Sequence, residues 1–153
     1  MPEVRAGDRA PDFEVETDRG RLSLRDLLAA GKLVLAFYYE DLTPTCSTQL
    51  TSLKDAFEAF QAAGAAVLAV SSDSLESHSF FCDRLGGLPF PLGTDPDLAV
   101  ASAYGVVDES GRRSRRAVFV IGQDGTVLLA LPHYSPANVG QLQQVFEAVA
   151  GAG

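Results

Sequence analysis

The sequence predicts a single α/β domain built on a parallel core, and three observations carry that expectation. Residues 33–38 and 65–70 are continuous apolar runs, the signature of strands covered on both faces of a parallel sheet. Between them, Leu50, Leu53, Phe57 and Phe60 recur at helical spacing over residues 44–63, giving one apolar stripe that can lie across such a sheet. Residues 117–121 and 126–131 flank Gln123-Asp124-Gly125 and read as an antiparallel hairpin.

Composition bounds what such a domain can be. With 153 residues, 46% of them hydrophobic, the chain fits one domain spanning 1–153, large enough to bury a core without disulfide or metal support. A formal net charge of −8 and a pI near 4.6 argue against a nucleic-acid surface or an anionic membrane as partner, because both would repel the protein. No apolar run approaches the ~20 residues that span a bilayer, and the opening residues lack the apolar stretch of a secretory signal. The expectation is a cytoplasmic protein. Two cysteines far apart in a reducing compartment point to catalysis or inert packing rather than to a structural disulfide.

Taken in order, Ala10-Pro11-Asp12 opens a short alternating segment at 13–17, and Asp18-Arg19-Gly20 turns it into 21–24 as an N-terminal hairpin. Residues 24–30 form a brief helix closed by Gly31, ahead of the strand at 33–38. Gly64 ends the long helix. After the strand at 65–70, Ser71-Ser72-Asp73-Ser74 caps a second helix over 75–85, stopped by Gly86-Gly87. Pro89 and Pro91 make 88–92 too proline-rich for a central strand, so a short edge strand is expected there. Thr94-Asp95-Pro96 starts a short helix running to Tyr104, and a charged loop follows at 108–116. Beyond the hairpin, Ser135-Pro136 caps a last helix whose stripe is Val139, Leu142, Val145, Phe146 and Val149. A parallel core finished by an antiparallel hairpin is a thioredoxin-like arrangement.

The chemistry centres on Thr43-Pro44-Thr45-Cys46, directly after the first core strand. Pro44 suits the first helical position and Thr43 the N-cap, its hydroxyl accepting from an orphan backbone N–H. Cys46 then falls at about the third helical position, near unpaired N–H groups and the positive end of the helix dipole, which favour a thiolate over a thiol. It also lies just past a strand's carboxyl end, where open α/β sheets gather their chemistry. From the residues alone, Cys46 is either such a reactive thiolate or a small core hydrophobe. Arg116, in the run Arg112, Arg113, Arg115, Arg116, reads as one more solvated surface charge.

Five stretches then point to a family: Gly7-Asp8-Arg9-Ala10-Pro11-Asp12-Phe13; Phe37-Tyr38-Tyr39-Glu40-Asp41-Leu42-Thr43-Pro44-Thr45-Cys46; Phe90-Pro91-Leu92 leading into Thr94-Asp95-Pro96-Asp97; Ala103-Tyr104-Gly105-Val106; and Arg116-Ala117-Val118-Phe119-Val120-Ile121. Together they resemble the peroxiredoxins, specifically the bacterioferritin-comigratory or PrxQ branch, over nearly the whole chain. The resemblance implies a thioredoxin-like fold of the peroxiredoxin type with an N-terminal β-hairpin extension. It also implies a thiol-dependent peroxidase reducing hydrogen peroxide and organic hydroperoxides, monomeric, without metal, haem or flavin. By position Cys46 is then the peroxidatic cysteine, Thr43 the hydroxyl that orients the peroxide, and Arg116, rather than Arg115, the cation beside the thiolate. A guanidinium there favours the thiolate and stabilises charge developing on the leaving oxygen. Two positions depart from the pattern: Tyr39 stands where the family usually has a proline that shields the pocket, and Gln49 where many members have glutamate.

Cys82 falls in the helix expected over 75–85, on a side shared with Leu75, His78 or Ser79, and Leu85, and reads from the residues as a packing cysteine. The resemblance implies a resolving thiol instead, since PrxQ-like proteins carry one either five residues after the first cysteine, here Thr51, or in this later helix. Cys82 then condenses with a sulfenic acid on Cys46 into an intramolecular disulfide, which an external dithiol such as thioredoxin reduces. Two helices packed on a sheet are not expected to hold the two Cα atoms within the ~7 Å limit of a disulfide, so oxidation is expected to loosen residues 43–48 and the helix around Cys82. The rivals are a one-cysteine peroxidase with Cys82 structural, a non-catalytic thioredoxin-fold redox sensor, and a thiol-disulfide exchanger. The last needs a second cysteine where Gln49 stands. A metal module from His78 and Cys82 at i, i+4, completed by Cys46 or His133, is opposed by the scarcity of ligands. His78 and His133 are otherwise expected at the surface.

Overall fold

In the computed structural model, which describes residues 4–41, 43–135 and 137–151, the apolar runs become the centre of a seven-stranded mixed sheet. The N-terminal hairpin is β1 (Glu14–Thr17) and β2 (Gly20–Ser23), followed by α1 (Leu24–Leu28) and β3 (Lys32–Phe37). Then come α2 (Pro44–Ala62), β4 (Ala65–Ser71), α3 (Leu75–Arg84), β5 (Leu92–Thr94) and α4 (Ala99–Tyr104). The chain finishes with β6 (Ala117–Ile121), β7 (Val127–Leu131) and α5 (Val139–Ala150). The strand order is β2-β1-β5-β4-β3-β6-β7, in which β3, β4 and β5 run parallel and every other pairing is antiparallel. This is the thioredoxin-like α/β arrangement.

Both faces of the sheet are covered, which is why β3 shows no polar alternation. Side chains alternate across a strand. Leu33, Leu35 and Phe37 therefore pack with Phe13, Leu24 of α1, Tyr104 of α4 and Phe119. Val34, Ala36 and Tyr38 pack on the opposite face with Leu50, Leu53 and Phe60 of α2, Phe81 of α3, and Val145 and Val149 of α5. Cys46 belongs to this second face. Among the described residues, no helix is long and apolar enough to cross a membrane.

Four expectations change. The strand after Pro89 and Pro91 is not an edge, because β1 folds back and pairs with its outer side, Glu16 opposite Thr94 and Thr17 opposite Gly93. Both prolines precede Leu92, outside the ladder, so their missing N–H groups cost nothing there. The close crossing of β1 needs Gly93, since a Cβ at that position would lie 2.9 Å from Val15 Cγ2. The helix expected from Thr94-Asp95-Pro96 begins only at Ala99, with the Asp95 carboxylate accepting from the N–H groups of Val100 and Ala101. The last helix is capped by Asn138, whose Oδ1 accepts from Gly140 and Gln141, and not by Ser135; Pro136 lies outside the described residues. Val139 leaves the apolar stripe, being 81% exposed at the helix mouth.

Candidate active site

The site forms where β3 runs out. Tyr38 still donates its N–H to Val70 of β4 at 3.1 Å, the last such bond before the chain leaves the sheet ahead of α2. Pro44 occupies the start of α2 and Thr43 its N-cap position with extended backbone (φ −83°, ψ 146°), as expected. The cap itself differs. The Thr43 hydroxyl makes no capping bond and instead donates to the Glu40 carbonyl at 2.8 Å, closing the turn that leads into the helix. Thr43 thus leaves the N–H groups of the first turn of α2, the turn that holds Cys46, without a side-chain partner from the cap.

Cys46 is fully buried, and the backbone N–H of Tyr39 donates to its Sγ at 3.3 Å. The Tyr39 side chain is 36% exposed and lies outward. One turn further along α2, Gln49 is also fully buried, and its Nε2 donates to the Phe37 carbonyl at 3.1 Å, tying the cysteine turn to the end of β3. Its Oε1 has no hydrogen-bond partner among the described residues. Arg116 immediately precedes β6. The β3–β6 register pairs Phe37 with Ala117, so Arg116 comes abreast of Tyr38 at the end of the sheet where Cys46 sits. Ser114 fastens this segment by donating to the Tyr38 carbonyl at 2.9 Å. Cys82 is half-buried on α3 and packs against the same apolar cluster that encloses Cys46, and both thiols are free.

The largest departure from expectation is His78, which is buried rather than at the surface. Its Nε2 lies 2.8 Å from the Gly93 carbonyl, and a carbonyl only accepts, so that nitrogen carries a proton. Its Nδ1 lies 2.8 Å from Asp41 Oδ2. The same carboxylate accepts from the Tyr38 hydroxyl at 2.5 Å and the Ser77 hydroxyl at 2.7 Å. Burial, reinforced by the Asp41 charge, pushes the Tyr38 phenol far above its ordinary pKa, so it stays neutral and donates. Both ring nitrogens of His78 are committed to protein partners, which removes it from the metal-ligand role. No cluster of three or more His, Cys, Asp or Glu is placed to hold a metal among the described residues.

A second carboxylate completes the clamp on the loop. Asp73 Oδ2 accepts from the Asp41 N–H at 2.8 Å and from the Ser71 hydroxyl at 2.8 Å, and Asp73 Oδ1 pairs with Arg113 at 2.8 Å. Burial alone would raise the Asp73 pKa, but the Arg113 guanidinium and these donors outweigh it and hold the group below the ordinary carboxylate value. The hydrogen bond to Asp73 in turn raises the Arg113 guanidinium. Arg113 is therefore one member of the basic run that is paired rather than free in solvent. Nothing in the sequence marks Asp41, Asp73, His78 and Arg113 as one cluster, and it raises His78 for a role only as a metal ligand, because their partners lie on separate segments of the chain.

Comparison with known proteins places this geometry. Residues 6–130 match the AhpC/TSA family. The chain is 32% identical over 135 residues to the putative peroxiredoxin bcp of Coxiella burnetii, covering 84% of this chain and 89% of that one. Its fold matches the peroxidoxin BcpB of Mycobacterium tuberculosis with a TM-score of 0.86 at 26% identity, over 96% of this chain and 97% of that one. It also matches the bacterioferritin comigratory protein of Xanthomonas campestris, a protein studied for alkyl peroxide reduction, with a TM-score of 0.76 at 29% identity, over 90% and 89% of the two chains. Fold and cysteine turn together define a thiol peroxidase. The chain belongs to the AhpC/TSA family of peroxiredoxins.

Proposed function

We propose that this peroxiredoxin reduces hydrogen peroxide and organic hydroperoxides with Cys46 as peroxidatic cysteine and Cys82 as resolving cysteine. The observation that carries the reading is the Cys46 sulfur in the first turn of α2, enclosed and receiving a backbone N–H, at the strand end where such sheets do their chemistry. The Cys46 thiolate attacks one peroxide oxygen and the O–O bond breaks. The sulfur keeps an oxygen as sulfenic acid, and the other oxygen leaves as water or alcohol after taking a proton. Arg116, carried to this end of the sheet by β6, supplies positive charge toward the leaving oxygen, and Thr43 turns its hydroxyl from the Glu40 carbonyl to the peroxide. The Cys82 thiolate then attacks the sulfenic sulfur, the S–O bond breaks, the hydroxide leaves as water after taking a proton, and a disulfide forms. Thioredoxin or a similar dithiol reduces it, becoming a disulfide itself.

The test is intact mass and free-thiol count after one equivalent of peroxide. Loss of two hydrogens with both thiols consumed supports the two-cysteine cycle. A gain of one oxygen with Cys82 still free supports a one-cysteine cycle, the second reading, which the packing of Cys82 against the apolar cluster favours.

A further inference from the structure

We propose that the backbone N–H of Tyr39 is a catalytic hydrogen-bond donor to the Cys46 sulfur, a donor this chain has because position 39 is not proline. The inference rests on the reading of Cys46 as the peroxidatic thiol. The pattern that the sequence resembles usually has proline at this position, and a proline nitrogen has no hydrogen to offer the cysteine. Tyrosine restores the N–H, and the turn out of β3 aims it at Sγ, 3.3 Å away. The ring plays no part in this contact, because the side chain lies outward and partly in solvent. The substitution therefore acts through the backbone.

The effect follows from the charge on the acceptor. A hydrogen bond to an ionised group is roughly twice as strong as one between neutral partners, so the N–H favours the thiolate over the thiol. The sulfur has no exposed surface, so no bulk water competes for the bond. Stabilising the thiolate also makes it a weaker nucleophile, with a Brønsted coefficient of about 0.4–0.5 for thiolate attack. The donor thus raises the reactive population at neutral pH and lowers the reactivity of each thiolate. Position 39 trades one against the other.

The experiment compares Y39P, which lacks the N–H, with Y39A, which keeps it; both lack the ring. In a C82S background only Cys46 and its thiolate absorbance are followed as pH is raised. Losing one charge-assisted bond is expected to move the midpoint of Y39P upward by about one unit relative to Y39A. Below both midpoints Y39P then consumes peroxide roughly three- to fourfold more slowly than Y39A, and above both midpoints about threefold faster. A merely structural defect slows the reaction at every pH and produces no crossing. In the unaltered protein, the amide proton of Tyr39 is expected to shift downfield with the same midpoint as the Cys46 thiolate, a readout that does not depend on how Y39P folds. Equal midpoints in the two variants and a static Tyr39 amide, in a parent that consumes peroxide, overturn this inference alone. A parent that consumes no peroxide overturns the reading of Cys46 and takes the inference with it.

Discussion

Asp41 Oδ2 meets His78 Nδ1 at 2.8 Å, with side chains 1% and 0% exposed, and this contact joins the loop leading into Cys46 to the helix that carries Cys82. Around it the Asp41 carboxylate collects the Tyr38 and Ser77 hydroxyls, and His78 reaches on to the Gly93 carbonyl of β5. The two cysteine-bearing segments are therefore held by one buried polar cluster, and its composition governs how easily they separate.

Removing His78 takes one partner from the buried Asp41 carboxylate, which keeps the Tyr38 and Ser77 hydroxyls, and leaves the Gly93 carbonyl without its imidazole donor, at about 1–3 kcal/mol for each buried group left short. H78L is expected to lose stability on that scale in urea denaturation. S77A, which removes a single hydroxyl donor from Asp41, should lose about 1 kcal/mol. Placing leucine at both 41 and 78 should recover part of the His78 loss, because no buried charge is then left unpaired.

Asp73 sets an acid limit. Its folded-state pKa lies below the ordinary value, so its contribution is present above about pH 3.9, where the unfolded chain's aspartate ionises, and is lost as pH falls through the folded value. D73N is expected to be less stable than the parent near neutral pH, by about 1 kcal/mol for this partly exposed pairing, with the difference shrinking toward zero in strong acid. Thermal midpoints measured across that range check it. A gap that widens on acidification contradicts the assignment.

If Cys82 resolves Cys46, oxidation must draw a fully buried sulfur out of its cluster. Amide exchange should then accelerate in residues 43–48 and along α3 when the disulfide forms, while β3 and β4, in the middle of the sheet, keep their protection. Unchanged exchange in both segments after both thiols are consumed counts against this motion.

Val139 offers a test at the other end of the molecule. It is an exposed β-branched residue in the first turn of α5, directly after the Asn138 cap. V139E places a better helix former and a negative charge at the positive end of the helix, and is expected to stabilise the protein by about 0.5 kcal/mol in urea denaturation.

What the sequence revealed and what it hid follow one physical line. The strands and long helices were legible because each carries its own periodicity: β3 and β4 are unbroken apolar runs, and the stripe of α2 from Leu50 to Phe60 does pack on the sheet. The environment of β5 was not legible, since whether a strand is an edge depends on partners elsewhere, here Glu16 and Thr17 of β1. Ser74 caps α3 as expected, but two other caps failed for a related reason. Thr43 had a competing acceptor in the Glu40 carbonyl, and Asn138 stood three residues beyond the Ser135 that looked sufficient.

The candidate site divides in the same way. The helix start that carries Thr43, Pro44 and Cys46 was readable because all three fall within four residues. His78 looked like a surface residue, because nothing near it in the chain announces Asp41 or Gly93. Tyr39 drew notice only as a departure from a family pattern, and the geometry locates its effect in the main chain rather than in the ring.

The short reach of β5 has one more consequence. With three residues it is a seam, and the N-terminal hairpin stitched to it is what keeps the flank of the parallel strands from lying open. Stripped of that hairpin, the molecule would offer bare main-chain donors and acceptors to any extended peptide, its own copies included, and would tend to assemble edge to edge. The first two strands, remote from the sulfur chemistry, thus cover the flank of β5 and move the edge of the sheet outward to β2.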